Sequence, residues 1–371
     1  MKMTMKNLLR ICAIASMVFS LVFSLASRAR AQEGSTRAEF ECLALANSSN
    51  VAFAGEPSGL LSFHHVWTPG LDYGTFQSNG LNFVYETQGS GDDVVVVVHG
   101  GAGLPHEYFH PMLSNLGRYV KLVYFDRRAD TLSTKTGHGP ASIEEMADDI
   151  EALRTALNVQ QVTLLGHSFG ANIVLNYALR HPANVKRLIL VSAAAAVENP
   201  VEGEKRILKK LSPIEMNAYR ATEGGKGAAN PCERVRMRYS VLYPHYFFKP
   251  TPYEFDRGVY TVYFDALSKK QALASDTTGL DVHSQLGRIT VPALVVAGRY
   301  DLETPPDQSS ELASGLPHAK LVMLEHSGHF PFFEENYLFT EWVRQFMMTT
   351  SRRVEGVATR KAIADSSGGA Q

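Results

Sequence analysis

The pentapeptide Gly166-His167-Ser168-Phe169-Gly170 is the feature that most constrains the fold of this chain. It follows the apolar run at 162–165 and precedes an apolar stretch with helical spacing, so the pattern predicts a serine where a strand turns abruptly into a helix. A side chain at such a turn takes a strained backbone conformation that lifts its hydroxyl clear of the sheet, and the two glycines let strand and helix pack closely. On its own, the motif is also compatible with an ordinary tight strand-to-helix connection.

Apolar segments of strand length alternate with segments of helical periodicity over most of the chain. The five consecutive valines at 94–98 fit a strand that is buried on both faces, as in a parallel sheet. Alternation around Ser78-Asn79-Gly80 predicts a hairpin with an Asn-Gly turn. The predicted strands are 73–77, 81–86, 94–98, 122–125, 162–165, 188–191, 293–297 and 320–324, and the predicted helices are 143–157, 171–180 and 337–347. This order predicts an α/β fold with a mostly parallel central sheet and flanking helices, whose ligands bind at the carboxyl ends of the strands.

A serine at the predicted turn needs a histidine base, a carboxylate that orients the base, and backbone donors for an oxyanion. The glycine-rich turn His99-Gly100-Gly101-Ala102-Gly103 directly follows the valine strand and could aim N–H groups into the crevice at the strand ends. The Gly101 N–H would pair with the Phe169 N–H as an oxyanion hole. The alternatives are a turn that is merely tight and a phosphate-binding loop, but no G-x-x-x-x-G-K-[ST] motif accompanies the glycines.

A carboxylate and a histidine follow the last two predicted strands. Asp301 lies just after the first of these strands, and His329 lies just after the second. Asp281 and Glu303 compete with Asp301, because most loop carboxylates are simply solvated. His326 competes with His329, although the glycine just before His329 favours the later residue. The pattern predicts Asp301 as the orienting acid and His329 as the base.

The regular pattern is interrupted between 198 and 285, where prolines and a glycine-rich stretch separate helical segments. We interpret this segment as a helical cap inserted in the α/β core. The predicted organisation is a signal peptide at 1–31, an N-terminal extension at 32–72, core segments at 73–197 and 286–348 with the cap at 198–285 between them, and a disordered tail at 349–371.

The N-terminus has the composition of a secretory signal peptide. Lys2, Lys6 and Arg10 precede an apolar run at 11–26, and Ala29-Arg30-Ala31 supplies the small residues of a cleavage site. This pattern predicts an exported protein, periplasmic or extracellular, whose mature chain begins after residue 31 and has no stable membrane span. An uncleaved membrane anchor is the alternative, although the apolar run is short for a span.

Charge and cysteine content exclude several functional classes. The chain has 371 residues with 36 basic and 37 acidic side chains, and this balance favours neither nucleic acid nor an anionic membrane as a partner. Removal of the signal peptide leaves Cys42 and Cys232, which could form one disulfide in an exported protein or stay unpaired. Neither the number nor the spacing of the cysteines supports a zinc site.

With the serine at the predicted turn, the glycine-rich turn, Asp301 and His329 in this order, the chain resembles the α/β-hydrolase superfamily over residues 74–348. The chain order of nucleophile, acid and histidine is the one given for that fold. The HGGxG turn and the run Asp126-Arg127-Arg128 resemble the proline iminopeptidase group, peptidase family S33. The resemblance implies a catalytic triad and two oxyanion donors, namely Ser168, Asp301 and His329 with Gly101 and Phe169.

Other positions depart from the pattern of that group. The group shows D-x-R-G-x-G-x-S, whereas Ala129 and Thr131 replace its two glycines here. The elbow reads GHSFG in place of GGSWG, and GHSxG is the commoner form among esterases and lipases. Cap carboxylates of the group bind the free α-amino group of a peptide, and the acids available in this cap include Glu202, Glu204 and Glu254.

These observations predict an exported serine hydrolase that cleaves an ester or amide bond of a small-molecule or short-peptide substrate through an acyl-enzyme. The proposed chemistry requires neither a metal nor an organic cofactor. An aminopeptidase similar to proline iminopeptidases and a carboxylesterase or lipase-like esterase are the enzymatic alternatives. A non-catalytic ligand-binding receptor with the same fold is the alternative of another class.

Overall fold

One mixed sheet organises the chain. The computed structural model describes residues 71–101, 106–128, 142–197, 200–223, 237–238, 240–249 and 281–350, and within these ranges eight strands form a single sheet. The strands are β1 (Leu71–Ser78), β2 (Leu81–Gln88), β3 (Val94–Val98), β4 (Lys121–Phe125), β5 (Val162–His167), β6 (Val185–Val191), β7 (Ala293–Gly298) and β8 (Ala319–Leu324). Their order in the sheet is β1-β2-β4-β3-β5-β6-β7-β8.

The sheet is antiparallel at one side and parallel over the rest. β1 pairs antiparallel with β2, and β2 pairs antiparallel with β4. The other neighbouring strands pair in parallel. Asn79 and Gly80 connect β1 to β2 with φ angles of 47° and 78°, the two positive values of a type I′ turn. The predicted Asn-Gly hairpin and the mostly parallel sheet are confirmed, and β1 begins two residues before its predicted start, at Leu71.

Alternate residues of β3 pack into two different hydrophobic cores. Val96 and Val98 belong to the core that contains Ile150 and other helical side chains on one face of the sheet. Val95 and Val97 belong to the core on the other face. Because successive side chains of a strand point to opposite faces, a strand covered on both sides is apolar at every position. The valine run is therefore the buried parallel strand that the sequence predicts.

Helices cover both faces of the sheet. They are α1 (His110–Leu113), α2 (Ile143–Ala156), α3 (Phe169–Arg180), α4 (Pro200–Leu208), α5 (Pro213–Glu223), α6 (Pro306–Gly315), α7 (Pro331–Glu334) and α8 (residues 336–350). A capping box starts α2, because the Ser142 hydroxyl accepts the Glu145 N–H and the Glu145 carboxylate accepts the Ser142 N–H. Helix α6 is absent from the sequence prediction, since only Ser309 and Leu312 of this helix are buried and its apolar period is weak.

Several predictions concern residues outside the described ranges. The signal peptide at 1–31, the tail from residue 351 and both Cys42 and Cys232 lie there, so these predictions and the domain boundaries stay predictions. Within the predicted cap, the structure describes α4, α5, helical residues at 237–238 and 240–242, a 3-10 turn at Tyr243–Tyr246 and the start of a second 3-10 segment at His283–Arg288. No helix in the part of the chain that the structure describes is long and apolar enough to cross a membrane.

Candidate active site

The predicted elbow lies between β5 and α3. β5 ends at His167 and α3 begins at Phe169, so Ser168 alone forms the turn. Its φ of 52° and ψ of −126° are unusual for a residue with a side chain, and such backbone strain costs roughly 1–3 kcal/mol. The Ser168 N–H donates to the Val191 carbonyl at 2.9 Å, so the end of the neighbouring strand β6 holds the turn in place.

The two elbow glycines allow contacts that a larger residue would prevent. A Cβ atom on Gly166 would lie 2.6 Å from Ala171 Cα. A Cβ atom on Gly170 would lie 2.3 Å from the Val98 carbonyl oxygen. Both distances are far shorter than a van der Waals contact. The start of α3 therefore packs directly on β5 and on the end of β3, as the motif predicts.

The residues of the predicted oxyanion hole lie beside the serine. Gly101 follows β3 with a φ of 64°, and a Cβ atom on Gly100 would lie 2.9 Å from Ser168 Cβ. The Phe169 N–H is the first of α3, where backbone donors have no partner within the helix. The Arg127 guanidinium donates to the Gly101 carbonyl and lies 5.1 Å from the centroid of the Phe169 ring. One cationic side chain thus bridges the two segments from which the predicted donors come.

Asp301 and His329 meet just beyond the ends of β7 and β8. His329 Nδ1 lies 2.9 Å from Asp301 Oδ2 and 3.1 Å from Oδ1. The Glu303 and Thr304 N–H groups each donate to Asp301 Oδ1 at 2.9 Å, which fixes the carboxylate. Asp301 and His329 have side chains that are 0% and 5% exposed. The structure therefore brings the predicted acid and base together in a buried pair.

The competing acid and histidine are exposed. Asp281 lies 2.6 Å from the Nδ1 atom of His283 at the surface. The His326 side chain is 71% exposed, and its Nδ1 lies 3.8 Å from a Glu335 oxygen. Glu303 supplies its backbone N–H to Asp301. Exposure keeps Asp281 and His326 in water, where a fixed acid–base geometry is hard to maintain.

Asp301 determines the protonation chemistry of His329. Burial lowers the pKa of the His329 imidazole, but the charge of Asp301 and its hydrogen bond to the ring outweigh burial and raise that pKa above 6.5. The charge of Glu303 acts in the same direction. The Asp301 contact also keeps a proton on Nδ1, so that Nε2 carries the lone pair of the neutral ring. This is the tautomer that a general base for a serine hydroxyl needs.

Three polar contacts hold the backbone of His329, and sequence reasoning missed all of them. The Tyr246 carbonyl accepts the His329 N–H at 2.6 Å. The His329 carbonyl lies 2.9 Å from His167 Nε2 and accepts the Ser192 hydroxyl at 3.0 Å. Tyr246 belongs to the predicted cap, whereas His167 and Ser192 lie at the ends of β5 and β6. The position of His167 inside the elbow motif was the only signal in the sequence for this role.

His167 links the histidine to the predicted oxyanion loop. A carbonyl oxygen can only accept, so His167 Nε2 carries the proton and Nδ1 accepts the Tyr108 hydroxyl at 2.8 Å. The Tyr108 oxygen in turn accepts the Gly100 N–H at 2.8 Å. Burial, together with the charge of His329, lowers the pKa of His167 well below its usual value, so the ring stays neutral. A chain of three hydrogen bonds therefore runs from Gly100 to His329.

We expect the substitution His167→Ala to lower kcat by about 10- to 100-fold with a smaller change in KM. The substitution removes one hydrogen-bond donor to the buried His329 carbonyl, which costs about 1–3 kcal/mol. It should disturb the position of His329 more than the substrate-binding site. His167→Gln should recover part of the rate, because its amide can donate to the same carbonyl. Steady-state kinetics on variants shown to be folded by thermal unfolding test this expectation, and an unchanged kcat in folded His167→Ala would contradict it.

Two acidic residues of the predicted cap already have cationic neighbours. Glu204 accepts the Tyr219 hydroxyl at 2.5 Å and a guanidinium N–H of Arg238. Glu202 pairs with Lys205 at 2.6 Å on the surface. The third acid that the sequence suggested, Glu254, lies outside the described residues. Glu204 therefore has a cationic partner in a partly buried position, whereas the Glu202 pair is exposed to solvent.

Comparison with known proteins agrees with this architecture. A family model described as alpha/beta hydrolase fold matches residues 93–224 and 251–336. The proline iminopeptidase PfmaB of Pestalotiopsis fici is 27% identical over 274 residues, which cover 72% of this chain and 97% of that protein. A proline iminopeptidase of Saccharolobus solfataricus is 25% identical over 289 residues, which cover 72% of this chain and 89% of that protein.

A solved structure shows the same fold. The crystal structure of a serine hydrolase from Cycloclasticus zankles aligns with a TM-score of 0.60 at 20% identity and covers 75% of this chain and 98% of that chain. The family match extends over more than half of the 371 residues, and the similarity to proline iminopeptidases confirms the predicted resemblance. The chain therefore belongs to the α/β-hydrolase fold family.

Proposed function

We propose that the protein is a serine hydrolase that cleaves an ester or amide bond in a small molecule or a short peptide. The observation that carries this proposal is the buried Asp301–His329 pair, joined at 2.9 Å, at the edge of the sheet where Ser168 forms the strained elbow. The carboxyl ends of parallel strands meet at this edge, so residues that follow β5, β7 and β8 converge there. An ordinary strand-to-helix connection requires no such acid–histidine pair.

The proposed reaction uses the groups already described. His329 Nε2 accepts the hydroxyl proton of Ser168 as Oγ attacks the substrate carbonyl carbon, and the Gly101 and Phe169 N–H groups donate to the carbonyl oxygen as it becomes negative. His329 then gives the proton to the leaving alcohol or amine, and the acyl group stays on Ser168. Water attacks the acyl-enzyme in the same way, which releases the carboxylic acid and restores the serine.

Two substrate classes have support. Similarity to proline iminopeptidases favours a peptide with a free amino terminus, cleaved after its first residue. The GHSFG form of the elbow favours a carboxylic ester. The engagement of the Glu204 carboxylate by Arg238 also favours the ester, because this acid already has a cationic partner within the protein.

A substrate panel separates the two classes. We expect p-nitrophenyl acetate and butyrate to be hydrolysed, because an activated ester needs only the nucleophile, the base and the oxyanion donors. Prolyl and alanyl p-nitroanilides are measured in the same initial-rate assay. Each anilide is tested once with a free amino group and once with an acetylated amino group. Cleavage of the free but not of the acetylated prolyl anilide would establish an aminopeptidase. Ester turnover without anilide turnover would reject the aminopeptidase activity. Folded protein that is inactive on every substrate would contradict the hydrolase proposal.

A further inference from the structure

Three side chains with metal-binding atoms meet beside the segment that follows the predicted oxyanion loop. Glu86 lies near the end of β2, His106 begins a 3-10 turn and His110 begins α1. Glu86 Oε2 is 3.2 Å from His106 Nε2 and 2.9 Å from His110 Nε2, and the three atoms lie within 4.8 Å of one another. Each side chain is at most 4% exposed. Among the residues that the structure describes, this is the one such group of three.

Asp126 determines which nitrogen of His106 faces Glu86. Asp126 Oδ1 lies 2.7 Å from His106 Nδ1 and also accepts the His106 backbone N–H at 3.0 Å. A carboxylate accepts hydrogen bonds, so the neutral ring carries its proton on Nδ1 and directs the Nε2 lone pair toward Glu86. A histidine that binds a metal through one nitrogen usually donates its other N–H to a carboxylate or carbonyl. Asp126 is the carboxylate that accepts this second N–H from His106.

The contact between Glu86 and His110 requires a proton or a metal ion between the two atoms. Glu86 Oε2 and His110 Nε2 are buried and 2.9 Å apart, and Glu86 Oε2 is also 3.2 Å from His106 Nε2. Zn²⁺ binds imidazole nitrogen and carboxylate oxygen at about 2.0–2.2 Å in a tetrahedral arrangement, which places neighbouring donor atoms about 3.3 Å apart. The two separations from Glu86 Oε2, 2.9 and 3.2 Å, are within a few tenths of an ångström of that spacing, and the two histidine nitrogens lie within 4.8 Å of each other.

We propose that Glu86, His106 and His110 bind one Zn²⁺ ion. Two imidazoles and one carboxylate, without a thiolate, suit zinc, whereas Ca²⁺ and Mg²⁺ prefer oxygen ligands throughout. The Tyr124 ring lies against both histidines, with centroid distances of 6.1 Å and 4.7 Å, and limits the side chains to a narrow range of orientations. Three protein ligands leave one coordination position for water.

The ion would stabilise the predicted oxyanion loop rather than take part in the reaction. Asp126, which holds His106, also lies 3.8 Å from His99 Nε2 at the start of that loop. The Arg127 N–H donates to the same His99 nitrogen at 3.2 Å, and the Arg127 side chain holds the Gly101 carbonyl. A metal ion at this point would cross-link β2 to the connection between β3 and β4, on which the loop depends.

Zinc titration of tag-free, EDTA-treated protein tests the proposal. Isothermal titration with ZnCl₂ should show one saturable site, and zinc at a hundredfold excess over its Kd should raise the midpoint of thermal unfolding by about 5–10 °C. Glu86→Gln and His110→Gln should lose both effects. His283→Gln is the matched control and should keep both, because His283 is an exposed histidine that also lies between two carboxylates, at 2.6 Å from Asp281 and 3.6 Å from Glu311.

A spectroscopic measurement on the wild-type protein tests the proposal even if the variants do not fold. Co²⁺ added to the EDTA-treated protein should give the intense visible absorption of a tetrahedral ion, and one equivalent of Zn²⁺ should remove it. Wild-type protein that binds neither ion saturably would overturn the proposal, as would folded Glu86→Gln that binds zinc as tightly as wild type. Either result would mean that protons alone balance the Glu86 charge.

Discussion

Replacing Ser168 by alanine is expected to lower kcat for a p-nitrophenyl ester by about 10⁶-fold while the protein stays folded. In the proposed mechanism alanine cannot form the acyl-enzyme, because its side chain has no hydroxyl for His329 to activate. A fluorophosphonate probe reacts covalently with an activated serine, so it should label the wild-type protein and fail to label Ser168→Ala. Intact-mass spectrometry after exposure to the probe measures both results.

Ser192→Ala is the matched control for this experiment. Ser192 is also a buried serine with a positive φ, of 49°, but its hydroxyl donates to the His329 carbonyl at 3.0 Å. The Ser192→Ala protein should therefore still be labelled. A folded wild-type protein that the probe does not label would refute the serine hydrolase proposal and favour a ligand-binding receptor with this fold.

Replacing Asp301 by asparagine is expected to lower kcat by about 10⁴-fold. An asparagine amide can donate to His329 Nδ1, which moves the ring proton to Nε2 and removes the lone pair that accepts the serine proton. The Glu303 and Thr304 N–H groups can still donate to the amide oxygen, as they donate to Asp301 Oδ1 at 2.9 Å, so the loop should keep its shape. Steady-state kinetics with the ester substrate give the loss in kcat.

The pH profile of the same variant provides a second readout. His329 must be neutral to act as a base, and its pKa is raised above 6.5 chiefly because the interactions with Asp301 outweigh burial. Wild-type kcat/KM should therefore fall as the pH decreases through a value above 6.5. In Asp301→Asn the burial remains and the charge is lost, so the acid limb of the residual activity should move to lower pH.

Asp281→Asn provides the control for the pH experiment. Asp281 is a loop carboxylate that also contacts a histidine nitrogen, at 2.6 Å, but its side chain is 67% exposed. Its replacement should leave both kcat and the acid limb unchanged. An acid limb at the same pH in wild type and Asp301→Asn would show that Asp301 does not control the His329 proton.

The local sequence pattern predicted most of the sheet, but it misplaced the start of a strand that contains a buried charged residue. The predicted strand at 188–191 is in fact β6, which begins at Val185 and includes Arg187. Arg187 is fully buried because its guanidinium donates to Thr350 Oγ1 at 2.6 Å and to Asp93 Oδ2 at 3.0 Å. Both partners are distant along the chain. An apolar pattern cannot reveal a strand residue whose burial depends on such partners.

The chain itself determined the local geometry at Ser168, because a strand, two glycines and a helix constrain a turn through contacts between close neighbours in sequence. The sequence already favoured Asp301 and His329, but only the tertiary structure shows that they meet in a buried pair while Asp281 and His326 stay exposed. The approach of Glu86 to His106 and His110 also required the tertiary structure. The Glu86 contacts follow from the strand order of the sheet, in which β2 lies beside β4, and this order in space cannot be read from the order of strands along the chain.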